Sequence, residues 1–200
     1  MTGADEQHED KKLEELTFAG ETLERCRFKR CSFLGSRLIE CETHHCEFQD
    51  CDFTGVKLGS SHHLSSSFLN CNFTNSDLYG AMFENCRMVG SSFAGANLSS
   101  IVVKGGDWSY TQMRMQDLDE VDFSDVKLVG ADLYSASLKK ATLYGALLKD
   151  ANLSHAKLNG ADLRGADLTG VQLRDVDLKG ARMNLEQALL FAISHGIIIE

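Results

Sequence analysis

Large apolar residues recur at every fifth position of the chain. Counting in fives from Phe18 to Met183 samples 34 positions, and all but two carry Leu, Phe, Met, Val or Trp. The two exceptions are Thr43 and His63, and no insertion or deletion breaks the spacing. The residue two places before each of these positions is mainly Cys or Ser in the first half of the chain. In most of the second half it is Ala.

A five-residue period fits neither a helix, with 3.6 residues per turn, nor a strand, with two. It is typical of a coil with flat sides, in which each side is one five-residue unit. One large and one small residue of each unit then point inward, and the other three face water. The period alone leaves the number of sides open. The chain has no proline, where ordinary usage predicts about ten, which indicates that nearly every backbone N–H is needed in a ladder.

The repeating units resemble those of pentapeptide repeat proteins. Ala131-Asp132-Leu133, residues 161–165 and residues 166–170 match the A(D/N)Lxx signature of that family, and the resemblance covers residues 16–183. It implies an all-β solenoid, a right-handed quadrilateral β-helix with 20 residues per coil and about 8 coils here. Sorting the central residues by 20 supports four sides, because like residues then stack on like: one column contains Phe33, Phe53, Phe73 and Phe93.

Both ends depart from the repeat. Residues 1–15 contain six acids and two lysines, with no repeat before Leu13; they are predicted to form a flexible acidic tail, with folding back as a cap the alternative. In residues 184–200, Asn184 and Gln187 indicate the capping box of a helix. Gly196 predicts the end of that helix, and residues 197–199 predict a short strand.

The C-terminal segment is expected to cap the solenoid and to form a dimer. An open last coil exposes apolar side chains and unpaired edges, and a helix that is apolar on two sides needs a second partner. The segment also resembles the C-terminal helix of Qnr- and MfpA-type pentapeptide repeat proteins, which implies a head-to-head homodimer. The residues expected at the dimer interface are Leu185, Leu189, Leu190, Phe191, Ile193, Ile197 and Ile199.

Cysteines and histidines are the candidates for metal chemistry. All seven cysteines occupy the small inward position, where a free Cys is a small buried hydrophobe; a metal site or a disulfide framework is the alternative. In-register stacking would place Cβ atoms about 4.8 Å apart, beyond the usual ~3.8 Å of a disulfide. A second candidate cluster is His44, His45, His62 and His63. We interpret it as a polar fault in the core, in which Thr43 and His63 are hydrogen-bonded, and predict neither metal nor cofactor.

The negative charge is concentrated in one belt. The chain has 29 acidic and 20 basic residues, a formal charge of −9. Residues 105–126 contain six acidic residues and only one basic residue, Arg114. A solvated acidic face is one interpretation, and an electrostatic patch for a basic partner, which we favour, is the other. The acids of this predicted partner-binding patch are Asp107, Asp117, Asp119, Glu120, Asp122 and Asp125.

Composition and motifs narrow the function. The acidic balance argues against direct binding of nucleic acid. No apolar run approaches the ~18 residues of a membrane span, and the polar start is unlike a signal peptide, so a cytoplasmic protein is expected. The sequence contains no phosphate loop, nucleophile elbow or HExxH motif. We therefore predict a protein that is not an enzyme and acts through the shape and charge of its surface.

The resemblance to the Qnr- and MfpA-type quinolone-resistance proteins is carried by residues 55–58, residues 88–91 and the LEQALLFAISHGIII ending. It implies a dimeric, DNA-mimicking rod that binds DNA gyrase or topoisomerase IV and counters quinolones or natural-product inhibitors. The unbroken register leaves no room for the projecting loops of large Qnr proteins, so the chain is closer to the loop-free MfpA type. The alternative is a structural or scaffold protein with a partner other than a topoisomerase.

Overall fold

The computed structural model describes residues 3–199, and the chain winds there as a solenoid whose coils contain 20 residues. Residues of one coil pair in parallel with those 20 positions later: outward Thr22 pairs with Glu42, and inward Phe28 lies opposite Phe48. The same offset persists as single bridges as far as Asp162 and Arg182. The predicted β-solenoid and its 20-residue coil are confirmed.

Each coil has four sides, because a turn follows every five residues. We name the sides by their central residues in the coil of residues 106–125: the Trp108 side, the Met113 side, the Leu118 side and the Phe123 side. They follow one another in this order along the chain. The Trp108 and Leu118 sides are therefore opposite each other, as are the Met113 and Phe123 sides.

Two sides carry parallel sheets in the N-terminal part of the solenoid. The Phe123 side holds six strands in the order β1-β3-β5-β7-β9-β10, and the Trp108 side holds four in the order β2-β4-β6-β8. The strands of the first sheet are Gly3–Ala4, Thr22–Glu24, Glu42–His44, His62–Leu64, Met82–Glu84 and Val102–Lys104. Those of the second are Gln7–Glu9, Arg27–Lys29, Glu47–Gln49 and Ser67–Leu69. Elsewhere the coils pair through single bridges.

The corners between sides are left-handed turns. Between residues 5 and 180, every fifth residue has a positive φ except Asp175, and 22 of the residues with positive φ are not glycine. Such a conformation is unfavourable for L-residues by about 1–2 kcal/mol, and the ladder bonds on either side hold it in place. Gly106 is a special case, with φ 95 at an inward position. A Cβ atom there would lie 2.2 Å from the Cys86 carbonyl oxygen.

The core is a set of stacked columns. Phe28, Phe48 and Phe68 stack face to face with ring centroids 5.0 and 4.7 Å apart. The Trp108 ring packs on Phe93 with ring centroids 5.7 Å apart. After Trp108 the core columns are mainly leucine, and Phe123 is their one aromatic residue. Like residues stack on like because each coil repeats the backbone of the one before it.

Polar residues at the inward small position are satisfied within the ladder. The Cys51 thiol donates to the Phe28 carbonyl at 3.4 Å, and the Ser91 hydroxyl donates to the Phe68 carbonyl at 2.8 Å. All seven cysteines are buried. Burial raises the pKa of Cys41 to about 12 and that of Cys86 to about 11. Cys41 and Cys86 therefore pack as neutral thiols.

The N-terminal residues differ from the prediction of a flexible tail. Residues 3–15 form the first coil: Gly3 pairs with Leu23, and the His8 ring stacks on Phe28 with centroids 5.0 Å apart. Asp5 accepts hydrogen bonds from Arg25 at 2.8 and 3.0 Å, one coil away. The prediction was wrong because it required an apolar residue at the centre of each unit. In this coil, ion pairs with residues one coil away and the stacked His8 ring stabilise the structure instead.

The C-terminal segment forms the predicted helix but lacks the predicted strand. Helix α1 spans Leu185–Ser194, with Asn184 as its N-cap and a complete capping box with Gln187. Residues 197–199 have no strand pairing within the described residues, so the predicted short strand stays a prediction. A β-strand needs a partner edge, and residues 197–199 lie beyond the last coil. Among residues 3–199, no helix has the length and apolar character needed to cross a membrane.

Candidate partner-binding surfaces

The Thr43 and His63 exceptions form a closed hydrogen-bond network inside the core. The Thr43 hydroxyl lies 2.8 Å from His63 Nδ1, and the Ser61 hydroxyl lies 2.9 Å from His63 Nε2. Because Ser61 donates its proton to the Leu58 carbonyl, its oxygen can accept from Nε2, and the Thr43 hydroxyl is shared between Nδ1 and the Ser66 hydroxyl at 3.0 Å. Burial lowers the pKa of His63 to about 3. The imidazole is therefore neutral and structural, as the polar-fault interpretation expected.

The neighbouring histidines lie at the surface beside carboxylates. His44 Nε2 lies 3.3 Å from Glu42, and His62 Nε2 lies 3.8 Å from Glu84. Glu84 also pairs with Lys104 at 3.6 Å. No three His, Cys, Asp or Glu side chains are grouped so that they could hold a metal ion anywhere in residues 3–199.

The six acids of the predicted patch do not share one surface. Asp117, Asp119 and Glu120 lie on the Leu118 side or its corner, and Asp122 and Asp125 follow on the Phe123 side. These five residues form a continuous acidic belt around one corner of the rod. The sixth predicted acid, Asp107, lies on the Trp108 side, around the corner from the Phe123 side, and its backbone forms a bridge with that of Lys127 in the next coil. Asp107 therefore lies outside the run of residues 117–125 that makes up the acidic belt.

Lysines of the following coil neutralise part of the acidic belt. The Asp119 carboxylate accepts hydrogen bonds from the Ser137 hydroxyl at 2.6 Å and the Lys139 amide at 2.9 Å. Burial raises the pKa of Asp119, but these hydrogen bonds and the Lys139 ammonium outweigh burial and lower it. Glu120 pairs with Lys140 at 2.9 Å, and that bond raises the pKa of Lys140.

The other three acids of the belt carry its free charge. Asp117 accepts a local hydrogen bond from the Asp119 amide, and Asp122 accepts local hydrogen bonds from the amide and the hydroxyl of Ser124. Asp125 lies exposed at the corner after Ser124. Within residues 3–199, no ion pair involves Asp117, Asp122 or Asp125. These three carboxylates are therefore the part of the predicted patch that is available to a basic partner.

A second surface lies at the C-terminal end. Leu185 is 76% exposed, Ile193 is 59% exposed and Ile198 is 86% exposed. Leu189, Leu190, Ile197 and Ile199 are exposed as well, whereas Phe191 is partly buried against the core and packs on His195 at 4.2 Å. Six of the seven residues predicted at the dimer interface thus form an uncovered apolar surface, and Phe191 instead helps to hold the helix on the solenoid.

Gln187 fixes this surface to the last coil, a role that the sequence analysis missed. It is buried, its Oε1 accepts from the Asn184 amide at 2.9 Å, and its Nε2 donates to the Ala166 carbonyl at 2.9 Å. The signal was present in the spacing, because residue 187 follows the inward Ala166 by 21 positions. In the solenoid, backbone N–H groups donate with the same offset to the carbonyl oxygens of inward small residues in the preceding coil.

Solved structures share this architecture along nearly the whole chain. A trypsin-treated variant of QnrB1, described as a plasmid-mediated fluoroquinolone resistance protein, matches with a TM-score of 0.87 and 25% identity, covering 98% of this chain and 99% of that one. A second trypsin-treated QnrB1 variant gives a TM-score of 0.85 at 24% identity over the same shares of the two chains. HetL, a pentapeptide repeat protein involved in heterocyst differentiation regulation in a Nostoc cyanobacterium, matches with a TM-score of 0.59 and 22% identity over 90% of each chain.

Family models agree with the structural matches. The model of pentapeptide repeats matches residues 71–101, 117–150 and 146–184 with 8 copies, and the model of a pentapeptide repeat region matches residues 21–83. No curated protein sequence matches the chain. Together the two models cover most of the solenoid, and the chain belongs to the pentapeptide repeat family.

Proposed function

We propose that this protein binds a type II topoisomerase, DNA gyrase or topoisomerase IV, as a DNA-mimicking rod and modulates the action of topoisomerase poisons such as quinolones or natural-product inhibitors. The observation that carries the proposal is the match to QnrB1, a fluoroquinolone resistance protein, over 98% of this chain with a TM-score of 0.87. The protein acts by binding and not by catalysis, and requires no cofactor.

The acidic belt supplies the electrostatics that such a partner requires. A surface that binds duplex DNA is basic, because it must neutralise phosphates. Asp117, Asp122 and Asp125 present carboxylates without cationic partners inside the described residues. Carboxylates on a rigid rod can occupy a basic DNA-binding surface while offering no phosphodiester bond to cleave. The bound protein competes with DNA for that surface. It therefore also competes with formation of the enzyme–DNA complex that the poison stabilises.

The uncovered C-terminal surface makes a homodimer part of the proposal. Soluble monomers rarely leave a contiguous apolar patch of this kind uncovered, and a two-fold axis closes the patch on itself. Each subunit has about nine coils, which at ~4.8 Å per coil form a rod about 43 Å long. Joining two subunits end to end through α1 doubles that length, which suits a two-fold symmetric topoisomerase.

The test is supercoiling of DNA by purified gyrase and relaxation of supercoiled DNA by purified topoisomerase IV, at graded concentrations of the protein, with and without a quinolone. We expect inhibition of supercoiling, relief of quinolone-stabilised cleavage, or both. A variant with Asp117→Asn, Asp122→Asn and Asp125→Asn should require a higher concentration for the same effect. The matched control removes equal charge elsewhere, with Glu15→Gln, Glu40→Gln and Asp50→Asn.

Two results would contradict the proposal at different levels. If the protein changes neither supercoiling nor cleavage with either enzyme, the topoisomerase function is wrong and a scaffold role with another partner replaces it. If the protein acts but the belt variant and the control titrate alike, the topoisomerase function stands and the acidic belt is not its binding surface.

A further inference from the structure

The outward positions of the Met113 side are small or polar in most coils, with Leu34, Tyr134 and the coil of residues 106–125 as the exceptions. In the preceding coil this side carries Gly90, Ser92, Ala94 and Gly95, and in the coil of residues 106–125 the same four positions carry Tyr110, Gln112, Arg114 and Met115. Tyr110 is 61% exposed and Met115 is 71% exposed. In this coil, two large apolar side chains therefore stand out at the two corners of the side.

Tyr110 is held in place by the coil that follows it. Its ring lies over Gly130, where a Cβ atom would be 2.6 Å from Tyr110 Cε1 and 2.7 Å from Cδ1. The residue one coil after Tyr110 must therefore be glycine for the ring to occupy this position. A side chain that is ordered before binding loses little conformational entropy when a partner covers it.

Arg114 and Tyr134 form a rigid platform between the two corners. The Arg114 guanidinium lies 4.3 Å from the centre of the Tyr134 ring and pairs with Asp132 at 3.0 Å. On its other side, the Tyr134 ring meets the His155 ring edge-on at 5.5 Å. We define the anchor ridge as Tyr110, Arg114, Met115 and Tyr134.

The anchor ridge adjoins the acidic belt. Met115 occupies the corner that joins the Met113 side to the Leu118 side, and Asp117 is the next outward residue along the chain. Tyr, Met and Arg are the residue types enriched where protein interfaces bury most of their binding energy. Free carboxylates beside an apolar centre correspond to the polar rim of such an interface.

We propose that the anchor ridge is an apolar docking site for a protein whose surface has a hydrophobic recess rimmed by lysine or arginine. The inference rests on the proposed function, since it assigns this recess to the same topoisomerase partner. The neighbouring carboxylates would repel the phosphates of a nucleic acid or an anionic membrane, and attract a basic protein rim. Binding then has two separable parts, an electrostatic part from the acidic belt and an apolar part from the ridge.

Salt separates the two parts, because screening weakens charge pairs far more than apolar contacts. The experiment measures the affinity of the full-length protein for purified gyrase by interferometry at about 0.05 M and 0.3 M salt. The ridge variant carries Tyr110→Ser and Met115→Ser. The control carries Leu34→Ser and Tyr144→Ser, two exposed apolar residues elsewhere on the rod. The belt variant of the preceding section is measured alongside.

The ridge variant is expected to bind gyrase at least tenfold more weakly than the wild type at both salt concentrations. Its affinity should change with salt by the same factor as that of the wild type. The belt variant should lose affinity mainly at low salt, and the control should match the wild type. If the wild type binds gyrase and the ridge variant binds as the control does, the docking site is wrong while the proposed function stands.

Two further outcomes also overturn the inference. If the wild type binds neither gyrase nor, in the same assay, topoisomerase IV, the proposed function fails and the ridge loses its partner with it. If the ridge variant changes the molecular mass measured by light scattering while the control does not, the ridge contacts a second copy of the chain instead of a foreign protein.

Discussion

The side-chain amide of Gln187 donates a 2.9 Å hydrogen bond to the carbonyl oxygen of Ala166. In the body of the solenoid, the carbonyl of an inward small residue accepts from the backbone N–H 21 positions later: Ala146 from Asp167 at 2.9 Å, and Ala161 from Arg182 at 2.8 Å. Gln187 thus places a side-chain donor where the next coil would have placed a backbone donor. This side-chain amide is the last donor of the ladder at Ala166, and it holds α1 against the last coil.

Replacing Gln187 should therefore destabilise the C-terminal cap. Gln187→Leu leaves the Ala166 carbonyl and the Asn184 amide without partners, which is expected to cost about 1–3 kcal/mol for a buried polar group. Gln187→Glu keeps the bond from the Asn184 amide and loses the donor to Ala166, so it should destabilise as well. Urea unfolding measures the effect, and Glu186→Gln, an exposed neighbour, is the control. Equal unfolding midpoints for all variants would contradict the assigned role.

The exposed apolar surface of α1 should control the oligomeric state. Leu185→Glu with Ile193→Glu places two charges on the most exposed helical positions, and desolvating them at a subunit interface would be unfavourable. We expect a wild-type dimer and a folded monomeric variant in light scattering, with unchanged circular dichroism. The control is Tyr79→Glu, at an exposed residue remote from α1. A variant that keeps the dimer mass would rule out α1 as the interface.

The His63 network predicts how single and double substitutions differ. Thr43→Val alone removes the hydroxyl that contacts His63 Nδ1, leaves that buried nitrogen unpaired and should cost about 1–3 kcal/mol. Thr43→Val together with His63→Leu replaces both partners by apolar groups of similar size, in a column where Leu23 and Phe83 are the flanking residues. The double variant is expected to match or exceed the wild type in thermal stability. A double variant less stable than the single one would contradict this account.

The same network predicts a pH dependence. Burial holds the pKa of His63 near 3 in the folded protein, below its ordinary value of 6.5, so the unfolded chain binds a proton that the folded one excludes. The stability contributed by the neutral imidazole is complete above pH 6.5 and decreases as pH falls towards 3, by at most about 1.4 kcal/mol per pH unit. Unfolding free energies at pH 7 and pH 5 should differ more in the wild type than in the Thr43→Val, His63→Leu variant. Identical pH dependence in the two proteins would exclude His63 as the source.

Residues 3–15 should be protected from hydrogen exchange. The amides of Asp5, Asp10 and Leu13 donate to carbonyls of the following coil at 2.9, 3.0 and 2.7 Å, whereas amides of a flexible tail exchange freely. Mass spectrometry of peptides from this region should show slowed exchange. Arg25→Gln with Arg30→Gln removes the cations that hold Asp5 and Asp10 and should accelerate exchange there without affecting residues 130–160. Exchange at the rate of an unstructured peptide in the wild type would restore the tail interpretation.

Gly106 should tolerate substitution far less than other glycines with positive φ. In Gly106→Ala the new Cβ would lie 2.2 Å from a backbone oxygen of the preceding coil, whereas nothing lies within 4 Å of a Cβ added at Gly55. Both substitutions strain the backbone, by about 1–3 kcal/mol, and only Gly106→Ala also displaces a neighbouring coil. The expected order of melting temperatures is wild type, Gly55→Ala, Gly106→Ala. A Gly106→Ala protein as stable as Gly55→Ala would contradict this prediction.

The sequence predicted the acids of the patch but not their cationic partners. Counting charges along the chain identified all six acids in one stretch of residues 105–126, but it ignored the residues one coil away. Lys139 and Lys140 follow Asp119 and Glu120 by 20 positions and pair with them. The offset of 20 was already known from the repeat and could have identified these pairs. The same offset relates Asp5 to Arg25 and would have placed residues 3–15 in the solenoid.

The sequence by itself determined the coil, because one large and one small inward residue recur every five positions and like residues recur every 20 positions. It also determined the start of α1, since a capping box is a local interaction between residues three apart. Tertiary structure alone decided which charges remain free, which apolar side chains stay uncovered and how the ladder ends. Those outcomes depend on contacts between residues 18 to 23 positions apart, where the geometry of the neighbouring coil selects the partner.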